Sequence, residues 1–248
     1  MHCLKVTLCS LLLLALNLVQ ALPAQQSKQQ IRIDDMLLTT EQFEYLNGTD
    51  MPQSALAWPQ YYWPQSTLVF SISTQFTPYE VQKIQEAMAE IESVSCIRFR
   101  QTDNIKENRV AIQRIAGMGC FSALGYQHNV QPLSLDTGCM HKGTIQHELL
   151  HALGFIHMQN DPRRDDYVII NWGNIIEGAE SQFQMWNPFN VNNFGVAYDY
   201  ASIMHYSAFA FSKNGQRTII PKVYGAQIGL RKLSPWDIVK LKLAYCLN

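Results

Sequence analysis

The run His147-Glu148-Leu149-Leu150-His151-Ala152-Leu153-Gly154-Phe155-Ile156-His157 constrains this chain more than any other stretch. Side chains four apart on a helix stand one above the other, so His147 and His151 aim two imidazole nitrogens at one point. Glu148 falls near the same face, where its carboxylate reaches a water at that point without being a ligand. Gly154 lets the chain leave the helix through a left-handed residue, and the turn carries His157 round as a third nitrogen. Three neutral imidazoles with one open position describe a catalytic zinc site, whereas a structural zinc is closed by a fourth protein ligand. Five fixed positions at this spacing arise by accident in roughly one such chain in 100,000. The competing reading, a buried amphipathic helix with Leu149, Leu150, Ala152 and Leu153 as core and bystander histidines, is weak beside that figure.

A second stretch, Ser202-Ile203-Met204-His205-Tyr206, lies where the chain can turn back beneath such a site, with a thioether under the histidines and a phenol beside the metal. Together the two stretches resemble the astacin family of zinc endopeptidases, within the metzincins, and the likeness runs from about Trp58 to Cys246. The resemblance implies an α+β fold of two lobes, the first (54–157) a twisted sheet with two long helices, the second (158–248) mostly irregular with a final helix. The active-site cleft would lie between them. It further implies one Zn2+ per chain on His147, His151 and His157, with Glu148 as general base and Met204 as the packing base of the metal. Tyr206 would be a displaceable ligand that swings out to support the oxyanion. A zinc peptidase of the gluzincin type would take its third ligand from a downstream Glu, against which His157 and Met204-His205-Tyr206 argue. A catalytically dead binding protein would be expected to lack a ligand or the base, and none is missing.

The 248 residues, 47% hydrophobic with a formal net charge of -1, suit one medium-sized domain with processed ends and carry no footprint of a nucleic-acid partner. Lys5, the apolar run from Leu8 to Val19 and the small residues of Val19-Gln20-Ala21 read as a signal peptide, residues 1–21. The run is too short to favour a spanning helix, so the expectation is a secreted, extracellular protein without a membrane anchor. Cys3 and Cys9 leave with the signal, and Cys96, Cys120, Cys139 and Cys246 remain for an oxidising compartment. Spacing leaves all three pairings open; the resemblance implies Cys96 with Cys246 and Cys120 with Cys139.

Residues 22–53, rich in Gln, Thr and acidic side chains and with little periodicity, are not expected to build a core. They read as a propeptide of a zymogen, removed by an activating protease to leave the domain at 54–248. The family places a propeptide Asp on the zinc through an aromatic-x-Gly-Asp motif. The nearest counterpart is Asn47-Gly48-Thr49-Asp50, with one extra residue, which makes Asp50 the expected latency ligand. Asn47-Gly48-Thr49 is also an N-glycosylation sequon, and a glycan so near Asp50 would fit poorly in a cleft. Asn47 is therefore expected to be unmodified if Asp50 is the switch.

Alternation predicts a strand over Thr67–Ser73, and Thr77-Pro78-Tyr79-Glu80 starts a capped helix that buries Val81, Ile84, Met88 and Ile91. Ile97–Arg100, Arg109–Ile115 and Cys120–Tyr126 read as further strands. By resemblance, the strand just ahead of the metal helix pairs with a protein or peptide substrate bound extended in the cleft. After His157 the family pattern breaks: Met158 stands where family members carry a Glu that receives the newly cut N-terminal ammonium, and Asp161 and Arg163 have traded places. The trade keeps an ion pair possible, and the mature N-terminus is expected to be exposed or to pair with another carboxylate, Asp161 being the candidate at hand. Asp165–Tyr200 reads as irregular with one short helix around Asn174–Gln184, and with Trp172, Phe183 and Trp186 in the core. Ser234-Pro235-Trp236-Asp237 opens a final capped helix with Ile238, Leu241 and Tyr245 inward. Ile228-Gly229-Leu230-Arg231 resembles the family's specificity segment and makes Arg231 a candidate for meeting an acidic residue after the cut. His128, His141 and His205 read as surface or structural. Oligomeric state leaves no mark in the sequence.

Overall fold

The computed structural model describes residues 30–48 and 59–247. The expected signal peptide (residues 1–21), Asp50 and the expected boundary between residues 53 and 54 lie outside the described residues. Among the described residues, seven strands form one sheet in the order β1-β2-β6-β7-β5-β3-β4. They are β1 (Gln30–Ile33), β2 (Met36–Thr39), β3 (Thr67–Ile72), β4 (Arg98–Gln101), β5 (Arg109–Gln113), β6 (Cys120–Ala123) and β7 (Val130–Leu135). β4, β3, β5 and β7 run parallel, and β6 lies antiparallel on β7. Helices α2 (Pro78–Val94) and α3 (Lys142–Ala152) pack on each other, and α3 rests on β6 and β7.

Local chemistry explains the boundaries. Thr77 and Glu80 close a capping box at the start of α2, with Pro78 in the first turn, and Ile84, Ala87, Met88 and Ile91 form its buried stripe. A second box, Ser234 with Asp237, starts α5 (Pro235–Tyr245). Leu241 and Tyr245 turn inward as expected, while Ile238 is half-buried. Cys96 is bonded to Cys246 and Cys120 to Cys139, so the first bond ties the entry of β4 to the end of α5.

Three expectations need correction. Residues 30–47 are ordered: β1 and β2 form a hairpin, followed by α1 (Thr40–Asn47) with its own Thr39/Gln42 capping box. Met36, Leu38 and Leu46 are fully buried in a small cluster with Leu124 and Trp186, so the segment gains its order by packing on the rest of the chain. Between Asp165 and Tyr200 the expected helix over 174–184 is reduced to one short 3-10 turn, with no α-helix there. A short α4 (Arg164–Tyr167) leads into β8 (Val168–Ile170), which pairs with β9 (Ile219–Pro221), and single 3-10 turns cover Trp172–Asn174 and Glu180–Phe183. Phe183 and Trp186 are core, but Trp172 is 49% exposed, lying edge-on to Phe183 with the Arg164 guanidinium over its ring.

Candidate metal centre

α3 is buried nearly all round, from Ile145 to Ala152, which fixes the rotamers of both its histidines. It ends in a Schellman motif: Phe155 N–H donates to the Leu150 carbonyl at 3.0 Å and Gly154 N–H to the His151 carbonyl at 2.8 Å. Gly154 sits at φ +94°, a conformation that other residues resist. The reversed chain delivers His157, and Met158 N–H donates to the Met204 carbonyl at 3.0 Å, locking the downstream loop under the histidines. Met204 is itself buried there.

The three Nε2 atoms converge. His157 Nε2 lies 3.2 Å from Nε2 of both His147 and His151. His147 Nδ1–H donates to the Ile203 carbonyl at 2.8 Å and His151 Nδ1–H to the Phe155 carbonyl at 2.7 Å, which leaves their Nε2 lone pairs facing inward. Burial disfavours the charged form of two of them: it lowers the His147 pKa and brings that of His157 down to about 4, despite a nearby carboxylate that pulls the other way. Lone pairs pointed at one another in a dry site repel unless a cation sits between them, so the donor set fits a metal ion.

A fourth ligand atom comes from a residue that sequence reasoning missed. Asp35, in the two-residue loop between β1 and β2, puts Oδ1 2.9 Å from His157 Nε2 and 3.2 Å from His151 Nε2, and Oδ2 3.1 Å from His147 Nε2. Asp35, His147, His151 and His157 are the candidate metal-holding group among the described residues. The signal was present: Ile31 and Ile33, then Asp-Asp, then Met36 and Leu38 is an alternating pattern broken by two turn residues, and Thr39-x-x-Gln42 is a capping box. The hairpin is seated by strand addition on β6, with β2 parallel to it; Ser122 N–H donates to the Asp35 carbonyl at 2.8 Å and Leu124 N–H to the Leu37 carbonyl at 3.0 Å. That edge is the one expected to receive a substrate.

Around this group stand the other predicted residues. Glu148 is buried with Oε2 free of any hydrogen bond, and burial, reinforced by Asp35, raises its pKa well above the usual carboxylate range. Tyr206 packs its ring 4.7 Å from that of His157 and donates its hydroxyl to Asp34 Oδ2 at 2.6 Å. Arg231 Nη1 reaches within 2.9 Å of His147 Nδ1. Two glycines allow that approach: a Cβ on Gly143 would stand 1.9 Å from the Arg231 carbonyl, and one on Gly229 2.5 Å from Ser207 Cα. His205 is structural, bonded to the Tyr198 hydroxyl and the Tyr206 carbonyl, while His128 and His141 are exposed.

The loop carrying Met204 and Tyr206 is held by α5. Asp237, besides capping that helix, accepts from Ser202 Oγ at 2.6 Å and from Ile203 N–H at 2.8 Å. Asp161 is taken up by Arg163, through Nε at 3.0 Å and Nη2 at 2.8 Å. Beside His157, a cavity of about 60 Å³ lined by Tyr62, Met158 and Lys240 holds a buried lysine ammonium, whose Nζ lies 3.2 Å from the Met158 thioether. Asn47 is half-buried; its Nδ2 donates to the Phe43 carbonyl at 2.9 Å and its Oδ1 accepts from Gln184.

Known proteins share this arrangement of chain. The medaka hatching enzyme high choriolytic enzyme 1, a zinc-protease, superposes with a TM-score of 0.69 at 36% identity, over 79% of this chain and 98% of that one. Two nematode zinc metalloproteinases of Caenorhabditis elegans, nas-15 and nas-4, are 41% and 38% identical over 74% of this chain. The chain spans 32% and 58% of their respective lengths. Myroilysin, at 22% identity and a TM-score of 0.53, shares the fold. The family model of the Astacin peptidases matches residues 56–246, and the chain belongs to that family.

Proposed function

We propose that this protein is a secreted zinc-dependent endopeptidase made as a zymogen. The convergence of three inward-facing Nε2 atoms beside a buried Glu148 whose Oε2 has no hydrogen bond carries this reading. Zinc on His147, His151 and His157 would act as a Lewis acid on the scissile carbonyl and bring the pKa of a water from about 16 to near 7. Glu148 then takes the water proton on its carboxylate and passes it to the leaving amine, a role suited to a group whose pKa burial has raised. Tyr206 donates its phenol to the carbonyl oxygen as charge develops there. A protein or peptide substrate lies extended on β6, and Arg231 favours an acidic side chain after the cut.

In this reading residues 22–53 are the prosegment, and its hairpin holds both the β6 edge and the metal-facing position. Asp35 takes the latency role expected of Asp50. Asn47 stays unmodified in the latent molecule, since its amide is engaged on both sides. The mature N-terminus stays exposed: Asp161 is occupied by Arg163, and the adjoining cavity already contains the Lys240 ammonium, which would repel a second. Secretion rests on the apolar leader and on four cysteines paired in two disulfides.

The test is hydrolysis of casein by the full chain before and after removal of the prosegment by an added protease. Activity should appear on removal and vanish with a zinc chelator, and Asp35→Asn should give activity without removal. Cleavage that ignores the chelator, or none from the processed chain, would end this reading.

A further inference from the structure

Beside Asp35 stands a second carboxylate that latency and catalysis do not use. Asp34 occupies the first position of the two-residue loop joining β1 to β2, with Ile33 paired to Met36 across it. Its φ is +53°, in the left-handed region that glycine enters freely and an L side chain resists, aspartate less than most. A side chain there calls for a compensating contact, and Asp34 makes one: Oδ2 accepts the Tyr206 hydroxyl at 2.6 Å. Tyr206 is only 4% exposed, with the rings of Phe183 and Phe211 beside it, so little water competes for that bond. The neighbouring carboxylate, on Asp35, faces the imidazoles instead.

We infer that Asp34 is a positioning residue of the latent state, gripping the Tyr206 phenol while Asp35 fills the centre of the three histidines. This rests on the zymogen reading and adds a second fastening point to it. Two adjacent side chains in one tight loop thereby hold both the metal-facing position and the group that would support the carbonyl oxygen. Departure of the loop frees them in one movement. The strained backbone at Asp34 is kept because its carboxylate reaches the phenol; a glycine would relax the turn and leave Tyr206 unheld.

The test uses the full-length chain carrying Glu148→Gln, which prevents self-processing, and reads amide hydrogen exchange across residues 30–39. Asp34→Ala should speed exchange about tenfold, the loss of one charge-assisted hydrogen bond. Asp34→Asn, which keeps an acceptor and tolerates the backbone, should lose less. In a Tyr206→Phe background Asp34→Ala should add clearly less, because the partner is already gone and only the backbone cost of alanine at a positive φ remains. No effect of Asp34→Ala, or an equal effect with and without the phenol hydroxyl, overturns the inference and reduces Asp34 to a turn residue. Asp35→Asn is the separate control: unchanged exchange there counts against the latency reading itself, while the Asp34–Tyr206 cycle still decides the present point.

Discussion

The residues up to His151 and those after Gly154 hold their shares of the metal centre in different ways. His147, Glu148 and His151 ride on α3, a regular element whose own hydrogen bonds and apolar burial set their positions. His157, Met204 and Tyr206 sit on irregular chain and depend on polar contacts: Asp237 to Ser202 and Ile203, Met158 to Met204, and the Tyr206 backbone N–H to Gln159 at 3.3 Å. The helix thus places two of the three histidines and Glu148 through its own backbone, while the position of the rest of the group rests on a network of buried hydrogen bonds. Such networks are costly to break, because each lost partner leaves a desolvated group behind.

If that division holds, the largest effect belongs to the helix. Glu148→Gln should lower peptidase activity on the order of 10⁴-fold with the metal retained and the melting curve little changed, the full span expected of one acid–base group. Full activity in that variant would remove the general base from α3. Next comes the network: Asp237→Ala should cost about 2–4 kcal/mol in denaturant unfolding, since it strips Ser202, Ile203 and Ser234 of their shared acceptor. A loss of activity without loss of stability would show that the irregular half is not held together in this way.

Tyr206→Phe should be milder, about 10²-fold in kcat with KM nearly constant, as for a single hydrogen-bond donor to developing charge. A loss as deep as that of Glu148→Gln would place the phenol among the indispensable groups. The smallest expected effect is at the new N-terminus: leaving a few extra residues on the processed chain should change kcat/KM less than about twofold, well under the cost of breaking a buried ion pair. A large loss would mean that the terminus finds an internal partner despite Lys240.

The sequence was most legible where one local rule acts alone. The His motif, the glycine turn, the Thr77 and Ser234 caps and the position of β3 each depend on neighbours within a few residues, and each stands where expected, although Val69 is buried beside Leu68 and Phe70 where strict alternation would expose it. β7 went unread because Pro132 and the buried Gln131 and Ser134 interrupt an apolar strand pattern, yet it sits between β6 and β5. The hairpin of residues 30–39 went unread because its order depends on a surface that Ser122 and Ala123 supply from far along the chain.

By itself the sequence determined the meeting of three histidines and the place of Glu148 beside them, since the period of a helix and one left-handed glycine bring them together without help from elsewhere. The tertiary structure decided which acidic residue meets them, which cysteines pair, and what holds the phenol. Those contacts join residues far apart in the chain, and only the packing of the whole brings them within bonding distance.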